Sequence, residues 1–316
     1  MGTGSDKAVK EIRACSIWRA LELVGDLPTN LILEASFLGV RRFEEFCART
    51  NVLRTLVTSR LKKLTEEGCL DRVQYSTRPP RYEYRLTVKG RALYHNSLMM
   101  LRWERKWGRG QGKMTVTLTH NLCGHEFTPE MQCQSCHKDI DPRAVTWKEG
   151  PGLAMMPLEY GRRRRQSSSA VARQGPTSLF DDIAQIIGDR SAMLVLRACF
   201  TGKQRFEDIR EDAQIATNIL SDRLKWLVEE EVLRRELYQE SPARYRYRLA
   251  EKGLDIYPIL LELLRWGDGW YALPEGPPLL LFHKPDGHPL NPAVVCSHCK
   301  AEIKITEVSF TVTERD

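Results

Sequence analysis

The chain has 316 residues, 42% of them hydrophobic and 28% charged, with a formal net charge of +7. That balance excludes a globally disordered chain, and no apolar run reaches the roughly 18 to 20 residues a membrane-spanning helix needs. The start, Met1 to Lys7, has no apolar core after its charge, so no secretory signal is expected and the protein is placed in the cytoplasm. Ile17, Leu21 and Val24 recur at helical spacing, Gly25-Asp26 breaks the run, and Pro28 suits a first helical turn. Residues 16 to 38 therefore read as two helices. A short helix is expected over Arg41 to Cys47, with Phe43 and Phe46 inward. A longer one follows from Asn51 to Glu67, with Val57, Leu61 and Leu64 as its apolar stripe and Gly68 as its stop. Leu70 to Tyr75 and Tyr82 to Leu86 read as strands around the turn Ser76 to Pro80, and a closing helix runs from Val88 to Trp107.

The same order then returns. A shift of 163 residues brings Val24-Gly25-Asp26 onto Ile187-Gly188-Asp189, Arg42-Phe43 onto Arg205-Phe206 and Lys89-Gly90 onto Lys252-Gly253. It also brings Leu101-Arg102-Trp103 onto Leu264-Arg265-Trp266, Trp107 onto Trp270, and His120, His125, Cys133 and Cys136 onto His283, His288, Cys296 and Cys299. A register held over that distance means one folded unit was duplicated, and the period is too long for one turn of a solenoid. The second copy carries its long helix near Ala216 to Glu230 and its hairpin turn at Glu240 to Ala243.

The expected fold class is α+β: two tandem winged helix-turn-helix domains, each followed by a small zinc-ribbon-like β module. The boundaries read as 14–107 and 176–270 for the winged helices, 114–149 and 279–313 for the ribbons, and 150–175 for a flexible linker. Arg162 to Arg165, three serines, Gly175 and Pro176 carry the linker signal, and the arginines suit either solvation or phosphate contacts. The glycine-rich Gly108 to Gly112 follows a helix and opens none, so it is no phosphate loop.

In a winged helix the long helix enters the major groove and the hairpin rides on the backbone. With Val57, Leu61 and Leu64 inward, Arg54, Thr55, Thr58, Ser59 and Lys62 face out; the second copy offers Thr217, Asn218, Ser221, Asp222 and Lys225. The wings add Arg78, Arg81 and Arg85, and Arg244, Arg246 and Arg248. An exposed polar helix alone would mean little, but a polar helix followed by a basic wing, twice, points to double-stranded DNA.

These residues resemble the HxlR-type winged-helix transcriptional regulators of bacteria. The resemblance rests on Arg41-Arg42-Phe43, Ser59-Arg60-Leu61-Lys62 and Pro79-Pro80-Arg81-Tyr82, and on Gln204-Arg205-Phe206, Thr217 to Lys225 and Pro242-Ala243-Arg244-Tyr245. It covers about 90 residues of each copy. It implies a regulator, read as a repressor, that binds a pseudo-palindromic operator. Family members usually carry one such domain and pair as homodimers; here two stand in one chain, which implies a pseudo-dimer, with pairing of whole chains also open. The copies depart from the pattern separately, Asp26-Leu27-Pro28-Thr29 against Gly188-Asp189-Arg190-Ser191, so their base contacts should differ. In this family a thiol like Cys15, at the head of the first helix, sometimes senses oxidants; an inert core thiol is the competing reading, and Ser178 stands at the equivalent position.

Cys133-x-x-Cys136 and Cys296-x-x-Cys299 suit a metal better than a disulfide in a reducing compartment. His120, Cys123, Cys133 and Cys136 read as one tetrahedral Zn(II) set, closed within the first ribbon. His283, Asp286, Cys296 and Cys299 read as the second, with a harder and weaker donor at Asp286; there His288 as ligand, or no metal at all, stay open. His125-Glu126 lacks the spacing of zinc deaminases, so no enzyme is expected. A zinc-dependent enzyme or a protein-binding adaptor built on winged helices is the alternative to a DNA-binding regulator, and a small-molecule or redox effector suits the latter.

Overall fold

The structure is a computed structural model and describes residues 11–13, 15–109, 114–157, 179–271, 273–284 and 286–314. A strand β1 (Glu11–Arg13) precedes helices α1 (Ser16–Val24), α2 (Leu27–Phe37), α3 (Phe43–Thr50) and α4 (Arg54–Glu66). The hairpin β2 (Leu70–Thr77) and β3 (Pro80–Leu86) follows, then α5 (Val88–Arg91) and α6 (Tyr94–Trp107). Strands β4 (Met114–His120), β5 (His125–Glu126), β6 (Pro129–Cys133), β7 (Val145–Glu149) and β8 (Met155–Pro157) complete the first half. The second half runs α7 (Asp181–Ile187), α8 (Arg190–Phe200), α9 (Phe206–Ala213), α10 (Thr217–Glu229), β9 (Leu233–Gln239), β10 (Arg244–Leu249), α11 (Glu251–Leu254) and α12 (Tyr257–Trp270). It ends in β11 (Leu279–His283), β12 (Pro292–Cys296) and β13 (Val308–Glu314).

Two expectations change in detail. The closing helix is two helices, parted at Ala92-Leu93, because the first turn is pinned to the hairpin. A Cβ on Gly90 would stand 2.1 Å from the Cys69 carbonyl oxygen, and one on Gly253 2.1 Å from that of Val232, so both repeats require glycine there. Of the expected linker, 150–157 are described and end in β8, which pairs antiparallel with β1; 158–175, with Arg162 to Arg165, lie outside the described residues, as do Gly110 to Gly112.

Within each repeat one aspartate ties the fold together. Asp26 caps α2 by accepting from the Thr29 amide at 3.0 Å, and its carboxylate also meets Arg60 of α4 at 3.0 Å, both side chains being nearly buried. Asp189 repeats this, accepting from the Ala192 amide at 2.9 Å and meeting Arg223 of α10 at 2.6 Å. A cap satisfies an amide that the helix itself cannot, and the ion pair fixes how the long helix is rolled. Val57, Leu61 and Leu64, with Leu220, Leu224 and Leu227, are the buried faces of these helices. The wings are held from the other side: the Tyr84 amide donates to the Arg41 carbonyl and the Tyr247 amide to that of Gln204, each at 2.8 Å.

The repeats are packed into each other about a pseudo-twofold axis. The Trp103 indole N–H donates to the Lys252 carbonyl at 2.9 Å, and the Trp266 indole to the Lys89 carbonyl at 3.0 Å, so each closing helix is anchored on the other repeat. At the axis Asn96 Nδ2 donates to the Ile259 carbonyl at 3.0 Å, the two residues being duplicates of one position, 163 apart. Helix α1 lies along α12, where the Ser16 hydroxyl donates to Asp268, and α7 lies along α6, where Glu104 accepts from the amides of Asp182 (3.2 Å) and Ile183 (2.9 Å). One connected apolar core results, spanning both repeats.

The ribbons do not close on themselves as the sequence suggested. Strand β4 pairs with β13, β11 with β7 and β6 with β12, each time one strand from each repeat. In the β6–β12 pair Met131 stands opposite Val294, so the axis passes through this pair too. Strand β5 is the one that stays with its own repeat, on β4.

Removing one partner of a buried pair leaves the other charge without compensation. Asp26→Ala should therefore destabilise the chain by about 3–5 kcal/mol, the loss of the cap adding to the stranded Arg60. Urea unfolding followed by circular dichroism checks this; a change under about 1 kcal/mol would mean the pair does not hold α4.

Candidate nucleic-acid interface and metal centres

The outward face of α4 carries Arg54, Thr55, Thr58, Ser59 and Lys62, all exposed, and that of α10 carries Thr217, Asn218, Ser221, Asp222 and Lys225, likewise exposed. The helical stripe buried beneath them fixes which side chains point out. Arg54 differs from the rest: its guanidinium makes a two-pronged ion pair with Glu44 of α3 at 2.5 and 2.6 Å and stacks over the Phe43 ring. That pairing holds the Glu44 carboxyl below its usual range and the guanidinium above its own. One group escaped the sequence reading: Leu53, at the head of α4, is 59% exposed, and a bare methyl group there suits a thymine methyl. Periodicity gives no signal for it, because it precedes the first helical turn; Ala216 takes its place in the second repeat.

The wings sort into committed and uncommitted arginines. Arg85 is paired with Glu83, Arg248 with Glu236 at 3.0 Å, and Arg246 stacks over Tyr238. Arg78, Arg81 and Arg244 are exposed at the hairpin turns, with no ion-pair partner among the described residues. Arg42 at the head of α3 stacks over Tyr75 of β2, which joins the wing to the helix-turn-helix.

The cysteines and histidines of the ribbons gather into two main clusters, each drawn from both repeats. In the first, His120, Cys123, Cys296 and Cys299 place their ligand atoms within 4.8 Å of one another. His120 Nδ1 lies 3.2 Å from Cys299 Sγ and 3.6 Å from Cys123 Sγ, and the Cys123 and Cys296 sulfurs are 4.0 Å apart. A tetrahedral zinc with Zn–S near 2.3 Å puts its ligand atoms about 3.7 Å apart, so these four fit such an ion. In the second, Cys133 Sγ lies 3.3 Å from His288 Nε2, Cys136 Sγ 3.4 Å from His283 Nδ1, and Asp286 approaches that same nitrogen at 3.6 Å.

The expected ligand sets, His120, Cys123, Cys133 and Cys136 against His283, Asp286, Cys296 and Cys299, are thus exchanged. The reason is the strand pairing. Cys133 and Cys296 sit at opposite ends of the antiparallel β6–β12 pair, each opposite a proline of the other strand, so each knuckle lands beside the other repeat's histidine. Two reciprocal bonds dock them: the Gln134 amide donates to the Asn291 carbonyl at 2.8 Å, and the Ser297 amide to that of Thr128 at 3.2 Å. Left-handed turns at Gly124 (φ +72°) and Gly287 (φ +66°) curl each histidine knuckle. Burial works against a Cys133 thiolate, yet hydrogen bonds from the backbone around Asn291, Ser135 and Cys136 and from His288 outweigh it and bring the thiol down to about 6. Burial raises the Cys296 thiol, whereas backbone hydrogen bonding near Ala301 lowers that of Cys299.

Cys15, buried at the head of α1, lies near the Arg197 guanidinium of the other repeat, which is paired with Asp212 at 2.6 Å. A cavity of about 500 Å³ lies between α6 and β4, bordered by Leu101, Glu104, Arg105, Thr117 and Phe127. Burial pushes the Glu104 carboxyl up to about 7 there, against the pull of the Ile183 and Asp182 amides. Among the described residues no helix is long and apolar enough to cross a membrane.

A family model described as HxlR-like helix-turn-helix fits residues 23–111 and again 186–274. An uncharacterized HTH-type transcriptional regulator of Mycobacterium tuberculosis is 40% identical over 138 residues, covering 44% of this chain and 87% of that protein. The HTH-type transcriptional regulator YodB of Bacillus subtilis is 31% identical over 84 residues, 26% of this chain and 75% of its own. The crystal structure of diamide-treated YodB matches at 28% identity and a TM-score of 0.26, covering 28% of this chain and 90% of that one. With two matches that together span more than half its length, the chain belongs to the HxlR-like helix-turn-helix family, as a tandem duplication.

Proposed function

We propose that the protein is a sequence-specific DNA-binding transcriptional regulator, acting as a repressor in the cytoplasm, in which one chain supplies both heads of a two-headed reader. The observation that carries this is the reciprocal anchoring of Trp103 and Trp266 on the opposite repeat, which holds two exposed polar helices in one body. The polar face of α4 reads one half-site and that of α10 the other, and since their side chains differ the two half-sites are unlike. Arg78, Arg81 and Arg244 neutralise flanking phosphates. The metal held by the ribbon clusters is zinc, in a structural role, because four protein donors leave no open position for catalysis. A small-molecule effector is assigned to the cavity beside Glu104.

Footprinting should show one chain covering two half-sites centred about one helical turn apart, roughly 10 base pairs, or a multiple of it. Protection of a single half-site per chain would overturn the two-headed reading. Asn218→Ala should cost about 1–3 kcal/mol at one base position and leave the others intact. Arg81→Ala should instead weaken binding to every sequence alike and make the salt dependence shallower by about one unit of slope. Competition with randomised duplexes at several salt concentrations separates the two. An Arg81 variant that changed base preference, beside an Asn218 variant that did not, would reverse these roles.

Metal analysis of protein purified under reducing, chelator-free conditions should find about two zinc ions per chain, one for each cluster. Finding no zinc would end that part of the reading and leave the winged helices as they are.

A further inference from the structure

The axis that relates the two clusters also brings out a difference between them. Moved by 163 residues, the first cluster becomes His283, Asp286, Cys133 and Cys136. Asp286 stands where Cys123 supplies a thiolate, yet it is exposed and forms an ion pair with Lys138 at 3.3 Å. His288 comes in instead, its Nε2 at 3.3 Å from the Cys133 sulfur. The duplicate of His288 behaves otherwise. His125 stays on the surface, stacked on His298 at 3.6 Å, with its Nδ1 donating to the Cys123 carbonyl at 2.6 Å. A histidine that lies outside the first cluster has thus entered the second, where the cysteine became aspartate.

We propose that the clusters are two unlike zinc sites, each bridging the repeats: His120, Cys123, Cys296 and Cys299 at one, and Cys133, Cys136, His283 and His288 at the other. Asp286, paired with Lys138 through the oxygen that lies 3.6 Å from His283 Nδ1, is the competing donor. This rests on the zinc reading above. Three thiolates and one imidazole leave the first site with a net negative charge around Zn(II), whereas two thiolates and two imidazoles leave the second neutral and less soft. Each ion takes one knuckle from each repeat, so metal binding and joining of the ribbons are one event, and losing either ion unlinks one end of the β6–β12 pair.

Cobalt(II) in place of zinc tests this, because its sulfur-to-metal absorption grows with the number of thiolates. In Cys133→Ser/Cys136→Ser the remaining cobalt should show three thiolates, and in Cys296→Ser/Cys299→Ser it should show two. Ligand sets confined to one repeat require the reverse, and that result would overturn the bridging sites. Should either double variant fail to fold, cadmium-edited proton spectra of the unaltered chain decide: Cys123, Cys296 and Cys299 should couple to one ion, and Cys133 and Cys136 to the other. Grouping Cys123 with Cys133 would overturn the proposal. His288→Ala should shift the cobalt spectrum of the two-thiolate site while Asp286→Ala leaves it unchanged; the opposite pattern would return the fourth position to the aspartate. A chain that takes up no cobalt overturns the zinc reading and this proposal together, whereas metal bound with the reversed thiolate count overturns this proposal alone.

Discussion

The exchange of closing helices is the constraint on which the rest of the molecule depends. Each indole N–H that ends on the other repeat's backbone is buried, and a buried donor without a partner is costly, so neither repeat can move away without losing one. Because Lys89 and Lys252 each precede the glycine that pins α5 or α11 against its hairpin, the indole bonds also place each wing relative to the opposite closing helix. The helices α4 and α10, the wings and the ribbons are positioned from this one joint.

The two halves have drifted apart in ways that keep the joint intact. In the second repeat Arg197 and Asp212 form a buried pair, and the corresponding positions of the first hold Glu34 and Arg49, the same charges interchanged. At the axis an asparagine faces an isoleucine. Glu104 caps α7, whereas its duplicate, Gly267, lets α1 come close: a Cβ there would lie 2.3 Å from the Ser16 carbonyl oxygen. Each of these is a complement between unlike halves. Two copies of the first half alone would set Asn96 against Asn96 and Glu104 against a helix that needs glycine, so the differences favour pairing within the chain.

Much of this was readable from the sequence because helices declare themselves locally. Val57, Leu61 and Leu64 fix the roll of α4 with no knowledge of what they pack on, and the shift of 163 residues carries that reading to α10. Gly25-Asp26 marked the helix break, though not the reach of Asp26 to Arg60. Strands behave differently. Alternation along a strand carries no information about its partner, and a duplicated sequence offers two equally good partners for every strand. The cysteines and histidines were therefore grouped otherwise than the structure brings them together: only the pairing of β4 with β13 and of β6 with β12 tells which histidine meets which cysteines. The ion pair that occupies Arg54 was hidden for a similar reason, since Glu44 lies on another helix.

The pairing of β6 with its own duplicate has a consequence for how the protein responds to its abundance. Were the repeats separate chains, the strand contact at Met131 and Val294 would form only by collision, and the two-headed species would thin out with the square of concentration. Joined in one polypeptide, each half meets the other at an effective concentration fixed by the chain, however dilute the protein. If one chain covers both half-sites, operator occupancy follows the first power of protein concentration, with no dimerisation step beneath it. A cell holding a few copies would then get a graded response where a dissociating dimer would give a delayed and steeper one.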